Sequence, residues 1–318
     1  MIKNFGLIGL AGYIAPRHLR AIKDTGNRLI AALDKSDSVG IIDSFFPEAD
    51  FFTEFERFDR HLEMLRRKQP DKAVNYVSIC SPNYLHDAHC RFALRIGADA
   101  ICEKPVVLNP WNIDALKEAE LEYGRKIYTV LQLRLHPEII RLRDKILSDR
   151  SDKVYDIDLT YVTARGRWYF FSWKGIEEKS GGIATNIGVH FFDMLAWIFG
   201  APVKNIVHLR KPDLAAGYLE LKRARVRWFL SLRFEDLPAE SLSSGKRSYR
   251  CIEINGEPFD FTDGFQDLHT RVYERILQGD GFSLEENRNA INIVYEIRNI
   301  EVTLHHGEKH PFLGKGKA

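Results

Sequence analysis

Two short stretches carry side chains that could do chemistry. The first is Ile101-Cys102-Glu103-Lys104-Pro105, an apolar run that stops at a proline. It reads as the end of a buried strand, with Lys104 thrown out where the chain leaves the sheet. Ligands of open α/β sheets bind outside the carboxyl ends of the strands. A lysine there can act as a cation or transfer a proton, although most lysines are simply solvated. The second stretch is Thr185-Asn186-Ile187-Gly188-Val189-His190-Phe191-Phe192-Asp193. Asn186 lies four residues before His190 and Asp193 three after it, so on a helix the three share a face. A carboxylate can fix the tautomer of a neighbouring imidazole and raise its basicity. A lone histidine of this kind reads as part of a satisfied polar cluster; paired with Lys104 it reads as a proton-transfer group.

The elements that must position Lys104 alternate strand and helix. Phe5-Gly6-Leu7-Ile8-Gly9-Leu10 is apolar throughout, as expected of a strand covered on both faces. The turn Gly9-Leu10-Ala11-Gly12-Tyr13-Ile14-Ala15 follows, then a helix from Pro16 to about 25. Glycines at such a turn let backbone N–H groups approach a pyrophosphate at the helix N-terminus. The spacing is G-x-x-G-x-x-A rather than G-x-G-x-x-G, with Ala11 where a second glycine is usual. Gly9, Ala11, Gly12, Tyr13 and Ile14 are the expected cofactor contacts. A second apolar strand, Leu29-Ile30-Ala31-Ala32-Leu33, ends in Asp34, placed to bind ribose hydroxyls, with Ser36 and Asp37 behind it. A carboxylate there repels a 2′-phosphate, so the expected cofactor is NAD rather than NADP. The competing reading of Asp34 is a cap after the strand.

Further strands are expected over 51–53, 73–80, 99–103 and 126–133, with helices over 56–68, 84–96 and 109–123. Six strands alternating with helices predict a doubly wound parallel sheet, a Rossmann arrangement. Ser81, Pro82 and Asn83 leave the fourth strand on the nicotinamide side, with His86 just beyond. Gln132 and Arg134, with His136-Pro137, leave the sixth strand toward the same crevice, and Glu103 at the end of the fifth is a further expected cofactor contact. His86, His89 and Cys90 share a helix face by spacing. A fourth metal ligand is not evident, so a packed face is the reading and no metal is expected.

In the second half the rhythm changes. Strands over 153–163, 203–210, 217–221, 224–234, 249–254 and 257–261 mostly lack helices between them, which predicts a large, mostly antiparallel open sheet. Asn255-Gly256 is a two-residue hairpin signal. A helix runs from Gly181-Gly182 to about 199, and two more are expected over 266–278 and 284–300. The class is therefore α/β: a dinucleotide-binding domain over 1–135 and an α+β domain for substrate and oligomerisation over 136–318. The tail over 305–318 is rich in Gly, Lys and His and is expected to be mobile and solvated.

Charge and composition narrow the partners. A formal net charge of +2 over 318 residues implies neither nucleic acid nor a membrane surface. The apolar stretch 191–203 is interrupted by Asp193 and Gly200 and is too short to span a bilayer. No secretory leader is read at the N-terminus. The four cysteines, Cys80, Cys90, Cys102 and Cys251, read as reduced thiols of a cytoplasmic protein.

The dinucleotide turn, Glu103-Lys104-Pro105 and Gly188-Val189-His190-Phe191-Phe192-Asp193, in that order and spacing, resemble the glucose–fructose oxidoreductase/inositol dehydrogenase (Gfo/Idh/MocA) family. Many members carry aspartate where this chain has Asn186, which leaves His190 as the stronger candidate for proton transfer. The turn Gly9–His18, the run 33–43, Cys80-Ser81-Pro82-Asn83-Tyr84-Leu85-His86 and Thr185–His190 are most similar to members acting on a UDP-linked N-acetylglucosaminuronate. That resemblance implies NAD-dependent oxidation of the C3 hydroxyl in O-antigen sugar synthesis, by a homotetramer. It also implies Lys104 and His190 as the catalytic pair, with the choice of base between them open. Arg165 and Lys174 suit the diphosphate or the uronate, Tyr169 and Trp173 suit stacking, and Asn186 suits a sugar hydroxyl. Surface or core roles fit those first four equally well. The alternatives are a sibling sugar or inositol dehydrogenase, or a non-catalytic NAD-sensing regulator on the same fold.

Overall fold

The structure, a computed structural model, describes residues 1–261, 267–304 and 306–314. The chain divides into two compact units, Met1–Leu135 with Gln266–Arg288, and His136–Phe265 with Asn289–Ala318. In chain order the elements to residue 135 are β1 (Asn4–Ile8), α1 (Ala15–Asp24), β2 (Arg28–Leu33), β3 (Asp50–Phe52), α2 (Phe55–Lys68), β4 (Tyr76–Ile79), α3 (His86–Arg95), β5 (Asp99–Cys102), α4 (Trp111–Tyr123) and β6 (Ile127–Thr129). Then follow α5 (Pro137–Ser148), β7 (Tyr155–Thr163), α6 (Trp168–Phe171), α7 (Glu177–Ser180), α8 (Val189–Phe199), β8 (Pro202–Lys211), β9 (Leu214–Leu221) and β10 (Ala224–Ser231). The last are α9 (Ala239–Ser243), β11 (Ser248–Ile254), β12 (Glu257–Pro258), α10 (Leu268–Leu277) and α11 (Leu284–Asn299).

In the first unit the strands lie in the order β3-β2-β1-β4-β5-β6, all parallel. The strand order reverses between β1 and β4, which opens a crevice at their carboxyl ends. β1 is buried at every position, the polar Asn4 included, as befits a strand covered on both faces. The expected sixth strand is shorter than 126–133: after Thr129 the chain turns into a 3₁₀ segment, Gln132–Leu135. The stretch 266–288, expected in the second domain, returns to this unit. The apolar side of α10 explains it: Leu268, Val272, Tyr273 and Ile276 are buried, and Tyr273 stacks on Phe5 at 5.8 Å.

In the second unit the sheet order is β12-β11-β7-β10-β9-β8. The β7–β10 pair is parallel and the other pairs are antiparallel. The Asn255-Gly256 loop has φ of 53° and 83°, the left-handed pair that a type I′ hairpin needs. The last strand is only Glu257–Pro258, because proline cannot donate to a ladder. The stretch Glu177–Phe199 is long and apolar enough to cross a membrane by length and composition, but 78% of its apolar window is buried inside the structure.

The tail departs from expectation. His310 is 2% exposed, and its Nε2 lies 3.0 Å from Thr160 Oγ1. Its ring stacks on Phe229, which also meets Phe312. Aromatic burial against β10 therefore orders residues 306–314, although the composition of the tail is polar. Residues 305 and 315–318 lie outside the described residues, as do 262–266, where the expected helix over 266–278 begins.

Candidate active site

The dinucleotide turn is built by close backbone approach. Gly9 has φ +94°, and a Cβ there would fall 2.6 Å from the carbonyl carbon and oxygen of Cys80. Only glycine lets β1 and β4 come this close at their carboxyl ends. Asp34 accepts hydrogen bonds from the Ala11 and Ser36 amides, both at 2.9 Å, so the carboxylate already sits on the glycine turn. The N-terminus of α1 has no side-chain cap and no acidic residue in its first turn. Among the described residues, the amides of Tyr13 and Ile14 have no backbone acceptor. An uncapped helix start with spare amides is a fit for a pyrophosphate. Gln132 adds a second fit: its buried Oε1 has no partner among the described residues. Tyr13 is fully exposed beside the turn, and Asp37 is exposed beyond Asp34.

At the ends of β4 and β5 several expected cofactor contacts turn inward. His86 is buried, with Nδ1 2.6 Å from the Pro105 carbonyl and Nε2 2.8 Å from the Ser81 carbonyl. Its ring ties together the loops that follow β4 and β5, so its side chain is taken. Burial pulls its pKa down while the two carbonyls pull it up. Ser81 Oγ meets His89 Nδ1 at 2.9 Å, and the His89 ring stacks on Phe55. Burial holds the His89 pKa at about 4. Cys90 is fully buried, so the His86–His89–Cys90 face is packing. Pro82 is half-buried and Asn83 buried in the same loop.

Glu103 also points inward. Its Oε1 accepts from His18 Nε2 at 3.0 Å and from His269 Nε2 at 3.1 Å. Burial alone would raise its pKa, but the two imidazole donors outweigh that and hold the carboxyl well below the usual range. Lys104 is half-buried at the strand end, where a cis peptide joins it to Pro105. Burial lowers its pKa and the charge of Glu103 opposes that. No local sequence pattern connects His18 or His269 with Glu103: His269 is 166 residues away, and His18 merely closes the distinctive turn.

In the second unit the expected straight helix is interrupted. Ala184–Gly188 forms a π-helical turn leading into α8. Such turns are frequent at functional sites. The wider turn changes the expected register of Asn186 with His190. Asn186 instead donates from Nδ2 to the Tyr169 hydroxyl at 2.5 Å. Tyr169 is 2% exposed, so its ring offers no face for stacking; burial raises its pKa and the Asn186 amide opposes that. His190 is half-buried, packed on Phe191 and edge-on to Tyr161, and Asp193 is buried. Lys174 lies 4.4 Å above the ring of half-buried Trp173. Burial and the charge of Arg165 both push the Lys174 pKa down. Arg165 itself is exposed.

Comparison with known proteins adds to this geometry. The Gfo/Idh/MocA family model described as an oxidoreductase family with an NAD-binding Rossmann fold matches residues 3–131. The model of its C-terminal alpha/beta domain matches residues 145–258. The WlbA (WbpB) dehydrogenase of Thermus thermophilus is 51% identical, with a TM-score of 0.93 over 98% of this chain and 100% of that one. It has been crystallised with NAD and alpha-ketoglutarate, and with NAD and UDP-GlcNAcA. The WlbA dehydrogenase of Bordetella pertussis is 18% identical, with a TM-score of 0.74, a likeness of fold. Putative oxidoreductase YteT of Bacillus subtilis is 29% identical over 49% of this chain and 36% of its own length. D-glucoside 3-dehydrogenase of Escherichia coli is 28% identical over 45% of this chain and 40% of its own. The chain thus matches well under half the length of these curated relatives.

Proposed function

The chain belongs to the Gfo/Idh/MocA oxidoreductase family, and from that premise we propose that it oxidises the C3 hydroxyl of UDP-N-acetyl-D-glucosaminuronate to the 3-keto sugar, with NAD. The observation that carries this reading is the full-length likeness to the Thermus thermophilus dehydrogenase crystallised with NAD and UDP-GlcNAcA. The spare Tyr13 and Ile14 amides of the Gly9–Ile14 turn hold the pyrophosphate, and Asp34, with Ser36 and Asp37, holds the ribose. Ser81, Pro82 and Asn83 line the nicotinamide side, and Gln132 supplies its buried amide oxygen. His86 and Glu103 support the site from behind through their side chains.

Oxidising a secondary alcohol removes the hydroxyl proton and the hydrogen on carbon. Bound NAD supplies the hydride acceptor. His190 takes the hydroxyl proton, a step worth ~10²–10⁴-fold. Lys104 holds the C3 oxygen and orients it. Arg165 and Lys174 face the diphosphate or uronate, Trp173 stacks on the sugar nucleotide, and Asn186, fixed by Tyr169, binds a sugar hydroxyl. The alpha-ketoglutarate bound by the Thermus enzyme supports a 2-oxo acid as the reoxidant of NADH, reduced to its 2-hydroxy acid. The family resemblance supports a cytoplasmic homotetramer serving O-antigen synthesis.

NADH formation with UDP-N-acetylglucosaminuronate, UDP-N-acetylglucosamine, myo-inositol and free glucose tests the reading, with the product identified by loss of two hydrogens. Turnover of the uronate alone is expected. Turnover of inositol or glucose without the UDP-uronate would overturn it. Adding 2-oxoglutarate should yield 2-hydroxyglutarate.

A further inference from the structure

One buried polar chain in the first unit has no part in the chemistry described so far. It runs Ser78–Tyr273–His18–Glu103–His269. Ser78 Oγ lies 2.6 Å from the Tyr273 hydroxyl, and that hydroxyl lies 2.7 Å from His18 Nδ1. His18 Nε2 and His269 Nε2 both reach Glu103 Oε1. Ser78, His18 and Tyr273 are wholly enclosed, and Glu103 and His269 nearly so. Four elements supply the groups: α1, β4, the end of β5 and α10.

Two imidazoles approach one carboxylate oxygen, so each must donate from Nε2 and the carboxylate must be ionised. His18 Nδ1 shares a hydrogen bond with the Tyr273 hydroxyl, which shares another with Ser78. Glu103 therefore carries a negative charge at the centre of this chain. A buried charge is costly unless it is paired or fully hydrogen-bonded. The next residue is Lys104, whose own amide lies 3.3 Å from Glu103 Oε2.

We propose that the His18–Glu103–His269 clamp, backed by Tyr273 and Ser78, is a positioning device for Lys104: it keeps a full negative charge beneath the strand end so that the lysine works as an ammonium. This inference rests on the reading of Lys104 as the group that holds the C3 oxygen. A lysine sunk at a strand end would otherwise shed its proton to escape burial. The other groups that face the pair are His86 on α3, Cys80 and Cys102 at the ends of β4 and β5, and Arg17 on α1, which acts on His269. Cys80 and Cys102 stay protonated because burial raises their pKa. Glu103 is therefore the anion that opposes the effect of burial on Lys104.

The same three ligand atoms lie within 4.8 Å of one another, so the arrangement could also be read as a metal site. The experiment separates the readings. Glu103→Gln keeps the shape and removes the charge, and Tyr273→Phe keeps the charge and removes the hydroxyl that meets His18. The titration of Lys104 is followed by NMR of the ¹³C-dimethylated full-length protein, its signal assigned by loss in Lys104→Ala. Glu103→Gln should lower that midpoint by about one pH unit, and Tyr273→Phe should lower it by less. The limb of the kcat–pH profile that follows Lys104 should move by the same amount, with KM for NAD changed less than about threefold. An unmoved midpoint in a folded Glu103→Gln protein would overturn the proposal. Stoichiometric zinc in the purified protein, lost in His269→Gln, would overturn it as well. Because the NMR titration needs no substrate, failure of the clamp is distinguishable from failure of the substrate assignment.

Discussion

Lys104 is subject to two opposed demands. Burial favours its neutral form, and the proposed hold on an alcohol oxygen requires the charged one; Glu103 shifts the balance toward charge. Replacing Lys104 or His190 with alanine should lower kcat by roughly 10²–10⁴-fold while NAD still binds with little change. Stopped-flow turnover alongside a cofactor-binding titration checks this, and near-normal turnover in both variants would refute the assignment. Asp34 is the other decisive residue, since its carboxylate is held on the turn by the Ala11 amide. Asp34→Ala should reduce the preference for NAD over NADP in kcat/KM by roughly 10-fold or more, because a repelled 2′-phosphate is worth about 1.4 kcal/mol or more. Wild-type preference for NADP would contradict the reading. At this scale the sequence is informative where spacing carries meaning: Gly9 stands where β1 and β4 approach closely, and Asp34 sits on the glycine turn. It is silent on which way side chains face: Glu103, His86 and Tyr169 turn inward, and their partners lie in segments that no local pattern links to them.

Most elements are legible in the sequence because long apolar runs leave few options, as in β1 and β4, while the departures follow short-range competition. A π turn over Ala184–Gly188 cannot be told from an α-helix by apolar periodicity over five residues. Proline cuts the last strand short at Pro258. The polar composition of the tail predicts mobility, yet His310, Phe312 and Leu313 pack on the second sheet beside Phe229. Such a tail stabilises the unit it covers. Deleting residues 306–318 should cost roughly 2–4 kcal/mol, read as a lower denaturation midpoint, and NAD affinity should fall little because the turn that binds it belongs to the first unit. An unchanged midpoint would show that the aromatic contacts around Phe229 contribute nothing.

On the scale of the whole molecule, each unit encloses a neutral histidine, and this couples stability to pH across both. The expected boundary after residue 135 divides the chain at one crossing, but the stretch 266–288 recrosses, so the units are tied by more than one connection. In the first unit His89 titrates at about 4, and in the second His310 at about 3, against an ordinary value of 6.5. For His310 burial is the main cause, with Arg227 adding to it. Geometry agrees: His310 Nδ1 accepts from the Phe312 amide at 3.1 Å, so a proton there would break that bond. A folded pKa below the unfolded one means the unfolded chain binds more protons in between, so stability is fully present above about 6.5 and falls as pH drops toward the folded values. A tenfold loss of proton affinity on folding corresponds to about 1.4 kcal/mol, so between about pH 6.5 and 5 the two imidazoles together are worth about 4 kcal/mol at most. The paired carboxylates Glu63 and Glu285, held at about 2, have the same sign but act only below their ordinary value of 4.5. The denaturation midpoint should therefore decline between about pH 6.5 and 5, before those carboxylates begin to protonate. His310→Gln, which cannot take up a proton, should flatten that part of the curve. A wild-type midpoint that stays level over this interval would mean that the two imidazoles find solvent or a new partner once charged.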